Sequence, residues 1–197
     1  MVSSSGSFRP YDITVRDVYD HRRFEIVEAE LATPTGPWPY TICRMRPFVC
    51  VIAVTGAGTP DARLTLVRQF RYAVGDWQLE LPAGGIEEGE VPLDAALREL
   101  REESGLVVDE ISELGWTYPS GGSTDERAYL FCARCTRRVE RDLDAGEQVE
   151  VVLVSRDEME ELLVGEDSPY AHAVTYVAWM RMQARGLLDA WMPRKVG

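Results

Sequence analysis

The chain has 197 residues, of which 45% are hydrophobic and 27% charged, a globular composition that excludes a disordered or collagen-like protein. A chain of this length can bury about 70% of its unfolded surface and forms one ordinary domain or two very small ones. Its 21 basic and 33 acidic residues give a net charge of -12, which opposes binding to nucleic acid or to an anionic membrane surface.

The first part of the chain has the pattern of β-strands. Residues 1–23 are predicted to be a polar, partly disordered segment. Residues 24–46 are predicted to form a hairpin, because apolar and charged side chains alternate on both sides of a turn rich in proline and glycine at 33–37. The apolar run Phe48–Val54 predicts a strand buried on both faces, and two further strands are predicted at 64–70 and 77–81.

One segment of the first half is helical. Leu93, Ala96, Leu97 and Leu100 recur at intervals of three and four residues. Pro92 suits a first helical position and Gly105 a C-terminal stop, which predicts a helix over 92–104.

The second half is predicted to contain three strands followed by two helices. Strands are predicted at 110–118, 128–133 and 148–154, and helices at 156–163 and 168–185. No repeat or long linker divides the chain. We therefore predict one domain at residues 24–197 of the α/β or α+β class, with a mixed β-sheet between helices and an N-terminal hairpin.

Targeting signals are missing from the sequence. No run approaches the roughly 18 apolar residues of a membrane span, and residues 1–10 have neither the charged start nor the apolar run of a signal peptide. We therefore expect a cytoplasmic protein that binds no membrane.

The four cysteines are too few for a disulfide framework in a chain of this length. Cys132 and Cys135 have the spacing of half a zinc site, but no second such pair and no pair of histidines accompanies them. We favour buried thiols over zinc or redox chemistry because an apolar run surrounds this spacing.

Acidic residues concentrate around the first helix. Residues 80–103 contain eight acidic and two basic side chains. Glu99, Glu102 and Glu103 are three and four positions apart and share one helix face, where each pair repels by a few tenths of a kcal/mol. A divalent cation would reverse this repulsion, since Mg²⁺ and Mn²⁺ prefer clustered oxygen ligands. The charge pattern alone fits either a metal site or a solvated helix face.

The residues flanking these carboxylates resemble a known signature. Gly84, Glu90 and the run 98–106 (RELREESGL) match, position for position, the 23-residue signature of the Nudix hydrolases. Outside it, Pro119 and the segments 67–71, 80–84 and 146–151 are similar to the ADP-ribose pyrophosphatase and nucleoside-diphosphate-sugar hydrolase branch. The resemblance spans roughly 24–185 and implies a Nudix fold.

The resemblance also implies an activity and a metal site. The activity is hydrolysis of the diphosphate linkage of ADP-ribose or a related nucleoside diphosphate sugar, giving a nucleoside monophosphate and a sugar phosphate. The metal is Mg²⁺, with Mn²⁺ as the alternative, and its ligands are Glu99, Glu102, Glu103 and the backbone carbonyl of Ala83. Arg98 is expected to act in catalysis by orienting the carboxylates beside it.

The substrate contacts and the general base have alternatives. Arg71 resembles the phosphate-contacting arginine of the branch, and its other interpretation is an exposed arginine at a strand end. Glu80 either contacts substrate or forms a structural salt bridge. Glu147 matches the loop glutamate that serves the branch as base or further metal ligand, and Asp144 and Glu126 are its rivals.

Two alternative functions were considered, and a homodimer is expected. A non-catalytic Nudix-fold ligand sensor is disfavoured because a regulator needs a DNA-binding module and no basic recognition helix follows Arg185. A nucleoside triphosphate or dinucleoside polyphosphate hydrolase is disfavoured by Pro119 and by the residues 81–84 (LPAG). A homodimer with crossing N-terminal strands is expected, because the hairpin and the apolar pair Trp191 and Met192 need cover.

Overall fold

A computed structural model describes residues 13–21, 24–143, 148–165 and 173–194. Within these ranges the chain forms ten strands and four helices. They are β1 (Ile13–His21), β2 (Phe24–Thr33), β3 (Gly36–Met45), β4 (Phe48–Thr55), β5 (Arg63–Arg71), β6 (Asp76–Glu80), β7 (Ala83–Gly85), α1 (Pro92–Ser104), β8 (Leu106–Thr117), β9 (Ala128–Arg138), β10 (Val149–Val154), α2 (Arg156–Val164), α3 (Ala173–Ala184) and α4 (Leu187–Trp191).

The chain consists of two compact units. The first contains the described residues up to Arg46 together with Ser120–Glu126, and the second contains Pro47–Pro119 and the described residues from Arg127 onward. The prediction that residues 24–197 form one domain stays a prediction.

The first unit is an antiparallel sheet in the order β1-β2-β3. Strands β2 and β3 form the predicted hairpin, whereas β1 was not predicted and pairs with β2 along its length. The outer edge of β3 is largely closed to further pairing. Pro37 and Pro39 lack N–H groups. The backbone N–H of Cys43 donates to the Ser123 carbonyl, and that of Met45 donates to the Asp125 carboxylate.

The second unit is built on a mixed seven-stranded sheet. Its strands follow the order β10-β5-β4-β9-β8, with β6 beside β5 and β7 beside β4. Strands β4 and β9 are parallel and the other pairs antiparallel. This arrangement confirms the predicted α+β class with a mixed sheet.

Side-chain alternation along β4 covers the sheet on both faces. Val49 and Val51 pack with α1, while Ile52 and Val54 belong to the cluster that α2, α3 and α4 cover. The apolar run was therefore correctly predicted as a strand buried on both sides. Trp191 and Met192, expected to need cover from a partner, are buried inside this second cluster.

The C-x-x-C spacing does not form a metal pair. Cys132 belongs to the core cluster on one face of the sheet and Cys135 to the cluster on the other, because residues three apart on a strand point to opposite sides. Burial raises the pKa of the Cys132 thiol to about 11 and that of the Cys135 thiol to about 12. Both are the unreactive buried thiols that were predicted.

The predicted C-terminal helix and the predicted lack of a membrane span are compared here with the described residues only. Helix α3 is described from Ala173 onward, so residues 168–172 of the helix predicted at 168–185 lie outside the described ranges. No helix within those ranges is long and apolar enough to cross a membrane.

Candidate active site

Helix α1 presents its carboxylates because its opposite side is fixed in the core. Ala96 and Leu100 are fully buried against the sheet, Pro92 lies in the first turn, and Gly105 ends the helix in the left-handed conformation at φ 70°. Because this apolar face determines the rotation of the helix, the acidic residues at the predicted spacing lie toward β7.

Glu99 lies directly against the backbone of β7 at Gly84. A Cβ atom added at Gly84 would lie 2.0 Å from the Glu99 carboxyl carbon and 2.2 Å from each of its oxygens. No side chain larger than hydrogen therefore fits at residue 84 while Glu99 keeps this position.

Glu103 contacts the same strand one residue earlier. Its side chain is almost fully buried, and its Oε2 accepts a hydrogen bond of 3.0 Å from the backbone N–H of Ala83. The Val51 N–H donates to the Pro82 carbonyl, so Pro82 faces β4. Because neighbouring residues of an antiparallel ladder alternate in direction, Ala83 directs its N–H and its carbonyl toward the side where Glu103 lies.

Arg98 connects the helix carboxylates to the loop that precedes the helix. Its Nε and Nη2 donate to the two oxygens of Glu90, each at 2.9 Å, and Nη1 donates to Glu99 at 2.7 Å and to Glu102 at 3.1 Å. A further bond of 2.9 Å reaches the carbonyl of Gly85. These hydrogen bonds raise the pKa of Arg98 and lower that of Glu90. Arg98 is thus placed to orient the carboxylates, and its part in catalysis stays a prediction.

The oxygen donors on α1 and β7 suit a hard divalent cation. Three carboxylates and one carbonyl are the ligand types that Mg²⁺ and Mn²⁺ prefer. Among the described residues, no three acidic, histidine or cysteine side chains already converge at metal-binding distance. Arg98 draws Glu99 and Glu102 toward itself while Glu103 turns to Ala83. Ligation by all three carboxylates therefore requires a side-chain rotation.

The two predicted substrate-binding residues contact each other. Arg71 at the end of β5 donates from Nε and Nη2 to both oxygens of Glu80 on β6, at 2.7 and 2.6 Å. The Glu80 side chain is 2% exposed and that of Arg71 is 41% exposed. A carboxylate buried this deeply needs a cationic partner. The structure thus shows the salt bridge considered for Glu80, and substrate contact by either residue stays a prediction.

Cys50 is a fully buried residue of β4 that pairs with Ala83 of β7. Burial raises the pKa of the Cys50 thiol, and the negative charges of Glu80 and Glu103 raise it further. Both carboxylates therefore lie near one buried point at the start of β4. Cys50 could not be identified from the sequence as a neighbour of these carboxylates, because it is one apolar residue in a continuous apolar run.

Of the three candidates for the general base, Glu147 and Asp144 lie outside the described residues. Glu126 belongs to the first unit, and burial raises the pKa of its carboxyl group. The assignment of the base stays a prediction.

Comparison with known proteins gives a consistent set of relatives. Residues 44–174 match the model of the NUDIX domain family. The chain is 35% identical over 134 residues to an ADP-ribose pyrophosphatase of Bacillus subtilis, covering 66% of this chain and 70% of that protein. It is 29% identical over 154 residues to a methanol dehydrogenase activator of Bacillus methanolicus, covering 77% and 81%.

A solved structure shares the fold. The crystal structure of an ADP compounds hydrolase superposes with a TM-score of 0.73 at 24% identity, covering 94% of this chain and 97% of the other. At this identity the match supports the architecture alone.

Proposed function

The chain belongs to the Nudix family and is a Nudix hydrolase, and from this premise we propose that it hydrolyses the diphosphate linkage of ADP-ribose or a related nucleoside diphosphate sugar. The products are a nucleoside monophosphate and a sugar phosphate. The observation that carries the proposal is the carboxylate face of α1, held against β7 by the Glu99 contact with Gly84 and the Glu103 hydrogen bond to Ala83.

Glu99, Glu102, Glu103 and the Ala83 carbonyl would hold Mg²⁺, with Mn²⁺ as the alternative. When bound, the ion supplies positive charge for the phosphoryl oxygens and lowers the pKa of a water that attacks phosphorus. Arg98 keeps Glu99 and Glu102 oriented, and Glu90 in turn fixes the guanidinium from the other side.

Arg71 is proposed to contact the diphosphate. Glu80 occupies its Nε and Nη2 atoms and fixes the plane of the guanidinium, while the side chain remains 41% exposed. A fixed and partly exposed guanidinium meets a phosphate oxygen with little loss of side-chain entropy. Glu80 then supports substrate binding by holding Arg71 in place.

Glu147 is proposed as the base that activates water. Glu147→Gln is expected to lower kcat by roughly 10² to 10⁴-fold while Mg²⁺ affinity and KM are kept, because only proton transfer is lost. The pH profile of kcat measures this, since its acidic limb disappears when the base is removed. A defect that high Mg²⁺ repairs would make Glu147 a metal ligand, and a wild-type rate would transfer the role to Asp144 or Glu126.

A homodimer is proposed from the surface of the hairpin. Trp38 on β3 is 62% exposed and Tyr40 is 38% exposed. Because residues two apart on a strand lie on one face, the hairpin presents two neighbouring aromatic side chains that a second copy of the chain would cover. Light scattering at micromolar concentration is expected to give the mass of two chains, and a monomer mass would contradict it.

A cytoplasmic location stays a prediction.

Products released from a panel of substrates test the proposed activity. ADP-ribose, GDP-mannose, UDP-glucose and a nucleoside triphosphate are each incubated with enzyme and Mg²⁺. We expect ADP-ribose to give AMP and a sugar phosphate fastest, in line with the relative from Bacillus subtilis. Preference for the triphosphate would support the other hydrolase activity. Binding of ADP-ribose without any hydrolysis would support a ligand sensor.

A further inference from the structure

Gln78 is a buried polar residue of β6 on the same face of the strand as Glu80. The residue is 9% exposed. Residues two apart on a strand share a face, so the amide of Gln78 and the carboxylate of Glu80 are neighbours. The pairing of β5 with β6 places Gln69 opposite Gln78 and Arg71 opposite Asp76. Side chains of directly opposite residues lie on one face, which brings Arg71 to this face as well.

The side chain of Arg71 extends along β6 past Gln78 to reach Glu80. Asp76, which is opposite Arg71, is four residues from Glu80, a separation of about 14 Å along an extended strand. Gln78 lies midway between them. The bidentate contact between Arg71 and Glu80 therefore spans the position of Gln78. The Gln78 amide thus lies beside the arginine that is proposed to contact the diphosphate.

The oxygen of the Gln78 amide has no partner within the described residues. Nε2 donates a long hydrogen bond of 3.5 Å to the Trp77 carbonyl, the only hydrogen bond of this side chain in that part of the chain. There, Thr65 Oγ1 is the only fully buried side-chain oxygen or nitrogen without a hydrogen bond. Gln78 Oε1 is therefore not fully buried, and the amide presents this atom at the surface.

The chemistry of this oxygen restricts what it can bind. A carboxamide oxygen accepts hydrogen bonds and cannot donate them, so its partner must carry an O–H or N–H group. The diphosphate of a nucleoside diphosphate sugar has only acceptor oxygens at neutral pH and is excluded as the partner. In ADP-ribose each phosphate is bonded to a ribose, whose hydroxyl groups are the donors closest to the diphosphate.

We propose that Gln78 Oε1 accepts a hydrogen bond from a ribose hydroxyl of the substrate while Arg71 contacts the adjoining diphosphate. The inference rests on the proposed function. A substrate without this hydroxyl would leave the amide oxygen unpaired in the complex, which lowers its affinity. Gln78 is thus a specificity-determining residue for the sugar next to the diphosphate.

Gln78→Met, a second variant Gln78→Leu and the control Gln183→Met test this role. Methionine has the length of glutamine and no amide. Gln183 is exposed on α3, which packs on the other face of the sheet from α1. We expect Gln78→Met to raise KM for ADP-ribose roughly 3 to 10-fold with kcat and melting temperature nearly unchanged, as one lost hydrogen bond predicts. Gln183→Met is expected to match wild type.

Calorimetric binding of AMP, ribose 5-phosphate and inorganic pyrophosphate at equal Mg²⁺ does not depend on turnover. Gln78→Met is expected to bind one ribose-containing product more weakly and pyrophosphate, which has no hydroxyl donor of this kind, as wild type does. Weaker binding of AMP alone assigns the contact to the nucleoside ribose, and weaker binding of ribose 5-phosphate alone assigns it to the terminal ribose.

Three results would overturn the inference. The first is a wild-type KM in either folded variant of Gln78. The second is an equal loss of pyrophosphate binding, since Gln78 would then act only through Arg71. The third is weaker binding of AMP with wild-type binding of inosine monophosphate, which would assign the contact to the amino group of the base. An inactive wild-type enzyme would refute the proposed function instead, and the binding measurements would still test the contact.

Discussion

Replacing Glu103 by glutamine is expected to lower kcat about a thousandfold, equivalent to about 4 kcal/mol of transition-state stabilisation, while the protein stays folded. The amide oxygen of glutamine can still accept the hydrogen bond that Ala83 donates to Glu103. The substitution removes one negative charge from a face that also carries Glu99 and Glu102, so it relieves repulsion in the metal-free protein. Turnover of ADP-ribose and the melting temperature, measured together, separate the two effects.

Glu88→Gln is the matched control for this variant. Glu88 is exposed in the loop before α1 and belongs to the same acidic segment. Its substitution removes the same charge and is expected to leave kcat within about twofold of wild type, because an exposed carboxylate that is not a proposed ligand contributes little. A Glu103→Gln protein that melts well below wild type and keeps its turnover would show that Glu103 has a structural role only.

Gly84→Ala is expected to weaken Mg²⁺ binding by roughly 10 to 100-fold without unfolding the protein. The new methyl group would occupy the position of the Glu99 carboxylate, 2.0 Å from its carbon atom. Glu99 has a flexible side chain and can rotate away, so the cost falls on the orientation of a metal ligand rather than on the core. Residue 84 does not have a positive φ angle, and alanine fits its backbone conformation.

The neighbouring glycine gives the control for this substitution. A Cβ atom added at Gly85 meets no atom within 4 Å, and Gly85 also lacks a positive φ angle. Gly85→Ala is therefore expected to bind Mg²⁺ as wild type does. Calorimetric titration of both variants with Mg²⁺ measures the difference. Equal affinities for Gly84→Ala and wild type would contradict the proposed position of Glu99 at the metal.

Local patterns were sufficient to predict α1 but not every strand. Helix α1 was predicted correctly because its apolar period, Pro92 and Gly105 all lie within the helix or directly beside it. Strand β1 was missed, and an irregularity between Asp17 and Tyr19 interrupts its pairing with β2, which breaks the period of two that reveals a strand. Strand β7 has only three residues and exists through its pairing with β4.

The candidate site likewise has features that follow from local sequence patterns and features that depend on packing between distant segments. The shared face of the α1 carboxylates could be predicted from their spacing, because residues three and four apart on a helix share a face, whereas their role as metal ligands was implied by the resemblance to the Nudix signature. The contacts between different elements of the site could not be predicted in this way. The Arg71 pair with Glu80 depends on how β5 and β6 fold together, and the contact between Gly84 and Glu99 depends on how α1 packs against β7. These contacts form only when the sheet brings distant segments of the chain together.

The most direct test of a metal-dependent diphosphate hydrolase is the hydrolysis of ADP-ribose by the wild-type protein in excess EDTA, followed by addition of Mg²⁺ beyond the chelator. The carboxylate face of α1 and the Ala83 carbonyl predict no AMP release in EDTA and full recovery when Mg²⁺ or Mn²⁺ is added. Undiminished AMP release in excess EDTA would contradict this mechanism.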